Sequence, residues 1–258
     1  MKNLEFSYNM RIEFSMPVIK HCFSLRCIPF DNEYQRITSL STQISPNNML
    51  SQTTDGFGNR VLTDGILEQH TEFSVSVKGT AEVDLSKKQK DELNGIYKYA
   101  SHYTKRGENI DRFLKSLPDG FVTTPVDTAK RLMQEIHKVF SYKNNVTNIN
   151  TTADEALGIG SGVCQDFSHI LIAVCRALNI PARYVAGIQN GTGETHAWAE
   201  VYEDGMWIGI DVTNNRMIDE TYIALSHGRD FADCGINRGL FIGGGTQKQS
   251  IEAYVRVL

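Results

Sequence analysis

A change of period divides this chain and constrains its fold more than any other feature. Residues 4–14, "LEFSYNMRIEF", alternate apolar and polar side chains, which puts Phe6, Tyr8, Met10, Ile12 and Phe14 on one face of a strand. "HCFSLRCIPF" (21–30) and "HTEFSVSVKG" (70–79) alternate in the same way, with the turn cluster "DGFGN" at 55–59 between strand segments. Near Leu85 the spacing becomes helical. "KKQKDELNGIYKYA" (87–100) carries Leu93, Ile96, Tyr97 and Ala100 on one helical face, and "PVDTAKRLMQEIHKVF" (125–140) carries Leu132, Ile136, Val139 and Phe140. "TTADEAL" opens with Thr152 and has Glu155 three residues on, a capping-box pattern. A longer helix is expected from about 164 to 178. The period of two then returns in "RYVAGI", "HAWAEVY", "MWIGIDVT" and "SIEAYVRVL". The pattern predicts an α+β chain in two units: a β-rich, sandwich-like domain over 1–85, and helices packed on an antiparallel sheet over 86–258.

Charge and cysteine usage narrow the function classes. The formal net charge of −4 comes without a concentrated basic stripe, which argues against a nucleic-acid surface. No run of eighteen apolar residues is present, so no membrane-spanning helix is expected, and the alternating start lacks the continuous apolar centre of a secretory leader. Five cysteines, an odd number, point to free thiols in a reducing compartment, and a cytoplasmic location is expected.

Two of those thiols lie in "GVCQDFSHILIAVCRAL" (162–178), and helix geometry separates them. Cys175 is three turns beyond Cys164, roughly 16 Å along the axis, and recurs with Leu171 and Leu178 as packing. Cys164 follows the glycines of "GIGSG" and falls in the first turn. Unpaired N–H groups and the positive end of the helix dipole favour an anion there, such as a thiolate. A zinc site built on Cys164, His169 and Cys175 fails, because the three do not share a face at reachable spacing. "GIGSGV" lacks the remaining glycine or the GK[ST] of a phosphate loop.

A base for such a thiol is found in "THAWAEVYEDGMWIGIDVTNN" (195–215). Asp204–Gly205 between alternating runs predicts a two-residue hairpin turn. With those residues at the turn centre, Tyr202 faces Trp207 and Trp198 faces Asp211. His196 and Asp211 are then diagonal neighbours on one face, while Ala197, Ala199, Val201, Ile208, Ile210 and Val212 form the opposite, apolar face. A thiol that attacks, an imidazole that moves its proton and a carboxylate that orients the ring make a coherent set in Cys164, His196 and Asp211. His21, His70, His102, His137 and His227 have no comparable context.

"GVCQDFSHI", "THAWAEVY" and "IGIDVTNN" resemble the three blocks of the bacterial transglutaminase-like proteins, which are papain-related. "LRCIPFDNEYQRITS" and "DGFGNRV" resemble the β-rich region that precedes that domain, and "GRDFADCGINRGLFIGGG" its closing segment. The resemblance implies a papain-like or transglutaminase-like catalytic domain with Cys164 as nucleophile, His196 as base and Asp211 as orienting acid. It also draws Gln165, Asp166 and Trp198 into consideration as pocket or oxyanion residues. Three readings follow: a cysteine protease or amidase that hydrolyses a peptide or protein amide through a thioester, a transglutaminase that passes the acyl group to an amine, and an idle interaction module on the same fold. No cofactor is expected. No metal is implied either, since no oxygen-rich calcium loop is present.

Overall fold

The computed structural model describes residues 1–46, 50–87 and 90–258. The chain begins with strands β1 (Lys2–Leu25), β2 (Gln35–Ser45), β3 (Ser51–Thr54), β4 (Arg60–Ile66) and β5 (His70–Val83). The alternation read at residues 4–14 is the inward face of β1: Phe6, Tyr8, Met10, Ile12 and Phe14 are all buried. β1 is long because it serves two pairings. Its first part pairs with β5 and its last part, from His21 to Leu25, with β4. A register shift between Glu13 and Val18, and Lys20 in the left-handed region at φ 51°, mark the bend between them. The bend folds the sheet over one core that includes Phe6, Phe23, Phe73 and Val77, the sandwich-like unit that the alternation predicts.

Helices α1 (Glu108–Ser116) and α2 (Pro125–Val139), strand β6 (Ser141–Tyr142), α3 (Ala153–Ile159), β7 (Ser161–Gly162) and α4 (Cys164–Ala177) follow. Then come β8 (Ala182–Gln189), β9 (Gly191–Gly193), β10 (His196–Glu203), β11 (Met206–Asp211), β12 (Arg216–Met217), β13 (Tyr222–Gly228), α5 (Phe231–Cys234), β14 (Asn237–Ile242) and β15 (Gln247–Val257). Five of these strands form an antiparallel sheet in the order β12-β11-β10-β8-β13. Ala197, Ala199, Val201, Ile210 and Val212 pack with Leu132, Ile136, Phe167, Ile170 and Leu171 of the helices. Ile188, Ile223 and Leu225 join the core of the first unit instead, so the five-stranded sheet is held between the helices and the β-rich unit. No helix among the described residues is long and apolar enough to cross a membrane.

Two expectations need correction. The helix expected over 87–100 is only a 3₁₀ turn at Gly95–Lys98; Lys88 and Gln89 lie outside the described residues. The backbone there is engaged by the β10–β11 turn: Asp91 N–H donates to the Gly205 carbonyl at 2.7 Å, and the Tyr202 hydroxyl donates to the Asp91 carbonyl. The second unit also does not run unbroken to residue 258. Strand gives way to helix after β5, close to residue 85, but β14 and β15 return to β1, with β15 paired along it from Phe14↔Gln247 to Leu4↔Val257. Ala253 and Val255 are buried in the first core, which accounts for the return.

Candidate active site

Cys164 is the first residue of α4. Val163 before it has no side-chain acceptor with which to cap the helix, and Asp166 takes over that task. The Asp166 carboxylate accepts the Val163 N–H at 2.8 Å and the Thr147 hydroxyl at 2.7 Å. Gly162 makes room for it, since a Cβ there would lie 2.3 Å from Asp166 Oδ2. Burial raises the Asp166 pKa, against the lowering pull of the Thr147 and Val163 hydrogen bonds. Asp166 therefore fixes the helix start, which leaves the Cys164 side chain half-buried at the mouth of a cleft.

The opposing wall is the β10–β11 hairpin. Asp204 and Gly205 have φ of 51° and 87°, both positive, as a tight primed turn demands. The ladder runs from Glu203↔Met206 to Ala199↔Ile210, the register expected from the sequence. It brings His196, at the start of β10, and Asp211, at the end of β11, into a hydrogen bond of 2.8 Å between Nε2 and Oδ2. Asp211 also accepts from the Tyr222 hydroxyl at 2.7 Å, from Asn214 Nδ2 at 2.7 Å and from Asn214 N–H at 3.1 Å. Burial alone raises the Asp211 pKa, but the hydrogen bonds and charge of His196 and the donors Tyr222 and Asn214 bring it below the usual carboxylate value. His196 is the converse case. Burial lowers its pKa, but the hydrogen bond to Asp211, that carboxylate's charge and the Cys164 sulfur raise it, for a net value of about 9. With Nε2 committed to Asp211, Nδ1 is the nitrogen left for the sulfur.

Cys164, His196 and Asp211 thus converge. The cleft that Cys164 and His196 line, about 1780 Å3 in volume, is also lined by Gln165 and Thr213 beside them and by Phe14, His21 and Phe23 from the first unit, with Asp211 buried behind His196. Trp198 is not part of its lining. It is buried, with its ring edge-on to Tyr222 at 5.5 Å, and Gly187 leaves space for it because a Cβ there would meet the indole at 2.4 Å. Sequence reasoning missed Asn214 and Tyr222. Asn214 has a local signal, an amide three residues after Asp211 in "DVTNN"; Tyr222 has none. Cys175, Cys27 and Cys234 are buried, and burial pushes the first two thiols up to about 12.

The description "Transglutaminase-like superfamily" is that of a family model matching residues 115–212, which include all three converging side chains, and the bacterial transglutaminase-like N-terminal region matches 4–82. Both regions of the chain thus match transglutaminase-like family models, the core at 115–212 and the N-terminal region at 4–82. An uncharacterized protein of Mycobacterium tuberculosis is 35% identical to it over 131 residues, 45% of this chain and 42% of that protein. One of Mycobacterium leprae is 34% identical over 114 residues, 40% of each chain. The chain spans less than half the length of these mycobacterial relatives. The crystal structure of a candidate cysteine protease from Cytophaga hutchinsonii is 22% identical, with a TM-score of 0.79 over 100% of this chain and 91% of that one. That likeness places the whole chain, including the returning strands β14 and β15, in the same transglutaminase-like fold.

Proposed function

We propose that this chain is a cysteine-dependent amide or peptide hydrolase working through a thioester on Cys164. The observation that carries the reading is a single imidazole, His196, hydrogen-bonded to the buried Asp211 carboxylate and lining one cleft with Cys164, the thiol that starts α4 and whose sulfur acts on the ring. With a pKa of about 9, His196 is an imidazolium at neutral pH, a cation of the kind that pairs with a thiolate nucleophile in cysteine-dependent acyl transfer. The sulfur attacks the amide carbon, an S–C bond forms and the carbonyl electron pair moves to oxygen. As the C–N bond breaks, the amine leaves with the proton held by His196. Water then attacks the thioester, gives a proton to the neutral imidazole and displaces the thiolate, so acid and amine are released and the site is restored. Asp211 holds the ring in place throughout. Acyl transfer to an amine shares the first half, and an amine in place of water completes it. Five free thiols fit a reducing, cytoplasmic setting for this chemistry.

Site-mapped alkylation tests the reading. Iodoacetamide is expected to label Cys164 much faster than the exposed Cys22, and buried Cys175 hardly at all. A peptide-library digest read by mass spectrometry, with and without added amine, should show cleavage or amine adducts that Cys164→Ala abolishes while the fold is kept. Labelling of Cys164 no faster than of Cys22 would count against the reading.

A further inference from the structure

A strand with an unpaired outer edge is a template for another extended chain, and folded proteins shorten, bulge or cover such edges. Most edges here are treated in that way. β3 and β12 have four and two residues, β2 carries a register shift between Ile37 and Ser39, and the side chains of Gln35 and Asn59 bond to the outer edge of β13. β14 is left open.

Among the described residues β14 pairs with β1 alone. Arg26 N–H donates to the Ile236 carbonyl at 2.8 Å, and further along the ladder Ser24 faces Arg238 and Cys22 faces Leu240. Hydrogen-bonded pairs alternate along an antiparallel ladder, so the N–H and C=O groups of Asn237 and Gly239 point away from β1. They have no partner among the described residues. Asn237, Arg238, Gly239, Leu240 and Phe241 all line the cleft that holds Cys164 and His196, so the cleft follows the strand. Gly239 gives that wall bare backbone: it is exposed, and a Cβ there would lie 2.8 Å from His21 Nε2. Asn237 adds a buried acceptor, Oδ1, that no donor among the described residues reaches.

We propose that the substrate of this site is an extended polypeptide segment that docks by adding as a strand to the outer edge of β14; the proposal rests on the reading of Cys164 as the nucleophile toward an amide. Asn237 and Gly239 are about 7 Å apart along the strand, the repeat of every second residue in an extended chain. Such a residue donates its N–H to the free carbonyl and accepts from the free N–H of each. The cleft, about 1780 Å3, exceeds the roughly 300–1,000 Å3 of a small-molecule pocket and has room for several residues of that chain. Backbone pairing of this kind selects unfolded or extended segments over folded surfaces.

Hydrogen exchange resolved to single amides tests the pairing. The protein is full-length Cys164→Ala, with Cys164→Ser as a second variant, so that the probe, oxidised insulin B chain, is not turned over. With the probe at millimolar concentration, exchange at the Asn237 and Gly239 N–H groups is expected to slow about tenfold or more. Exchange at Arg238 and Leu240, already bonded to β1, should change less than about twofold. Unchanged exchange at Asn237 and Gly239 overturns the assignment. Slowing there that is present without the probe and grows with protein concentration also overturns it, in favour of a second copy of this chain on the edge. The nucleophile fails separately: slow alkylation of Cys164 in the wild type would remove the thioester and leave the exchange result standing.

Discussion

Asp211 is fully buried and still ionised, because four hydrogen bonds, from His196, Tyr222 and twice from Asn214, replace the water it gave up. Its charge is what makes His196 cationic, and that has a measurable consequence. In Asp211→Ala the burial of His196 persists while its largest raising contribution disappears. The imidazole midpoint should therefore fall well below about 9, as read by NMR titration of the ring protons. Stability follows with a definite sign. The folded-state pKa lies above the unfolded one, so protonation favours the fold. The contribution is complete below about pH 6.5 and is lost as pH rises through about 9. Urea denaturation between pH 6 and pH 10 should show wild type losing stability relative to Asp211→Ala; parallel curves would contradict this account. Tyr222→Phe is a milder probe. Its ring stays packed on Trp198, and the donor to Asp211 and the acceptor for Arg216 Nε are lost together, for about 1–2 kcal/mol in the same measurement.

Between elements, the decisive contact is at β13, the outer strand of the five-stranded sheet. Its free edge is closed by two carboxamides from the first unit. Gln35 accepts from Ala224 N–H at 2.8 Å and donates to the Ala224 carbonyl at 3.0 Å; Asn59 does the same with His227, both at 2.8 Å. Each amide imitates a stretch of partner strand, which removes an exposed edge and ties the unit to the strand carrying Tyr222. Gln35→Ala leaves buried backbone groups unpaired and should cost about 2–3 kcal/mol in denaturant, whereas Gln43→Ala on the exposed face of β2 should cost less than about 0.5 kcal/mol. A Gln35 variant as stable as the Gln43 variant would contradict the clamp. This contact also marks the limit of what the sequence discloses. The Asp204–Gly205 turn and the alternation of residues 196–212 are local, so the hairpin register and the meeting of His196 with Asp211 could be read from the residues alone. The Gln35–Ala224 pairing spans 189 positions, and no local signal announces it. α1 was missed because only Ile110 and Phe113 in its nine residues are buried, too few to show a period. The helix expected at 87–100 failed for the opposite reason: its apolar spacing is suitable, but the hairpin turn and Asn94–Gly95 take its backbone elsewhere.

Over the whole molecule the two family-level regions are not two separable bodies. β1 enters at the start of the chain, β15 pairs along it at the end, and β9, beside the β10–β11 hairpin, adds to β15. The chain is stitched shut across its full length, and the first unit supplies part of the cleft wall through Phe14, His21 and Phe23. A chain beginning at residue 86 would leave β15 without β1, uncover Ile188, Ile223, Leu225 and Val255, and open the edge of β13. Each loss exposes apolar surface or unpaired strand groups, and both promote association with other copies. Such a fragment should be insoluble or lack a cooperative thermal transition by circular dichroism, and co-expression with residues 1–85 should restore solubility together with rapid alkylation of Cys164. Removal of residues 247–258 alone should have a similar effect, although the family core at 115–212 is untouched. If the 86–258 fragment melted cooperatively and Cys164 in it reacted at the full-length rate, the stability of the site would have to lie within the helices and five-stranded sheet alone. The amide clamp and the returning strands would then serve only to shape the cleft.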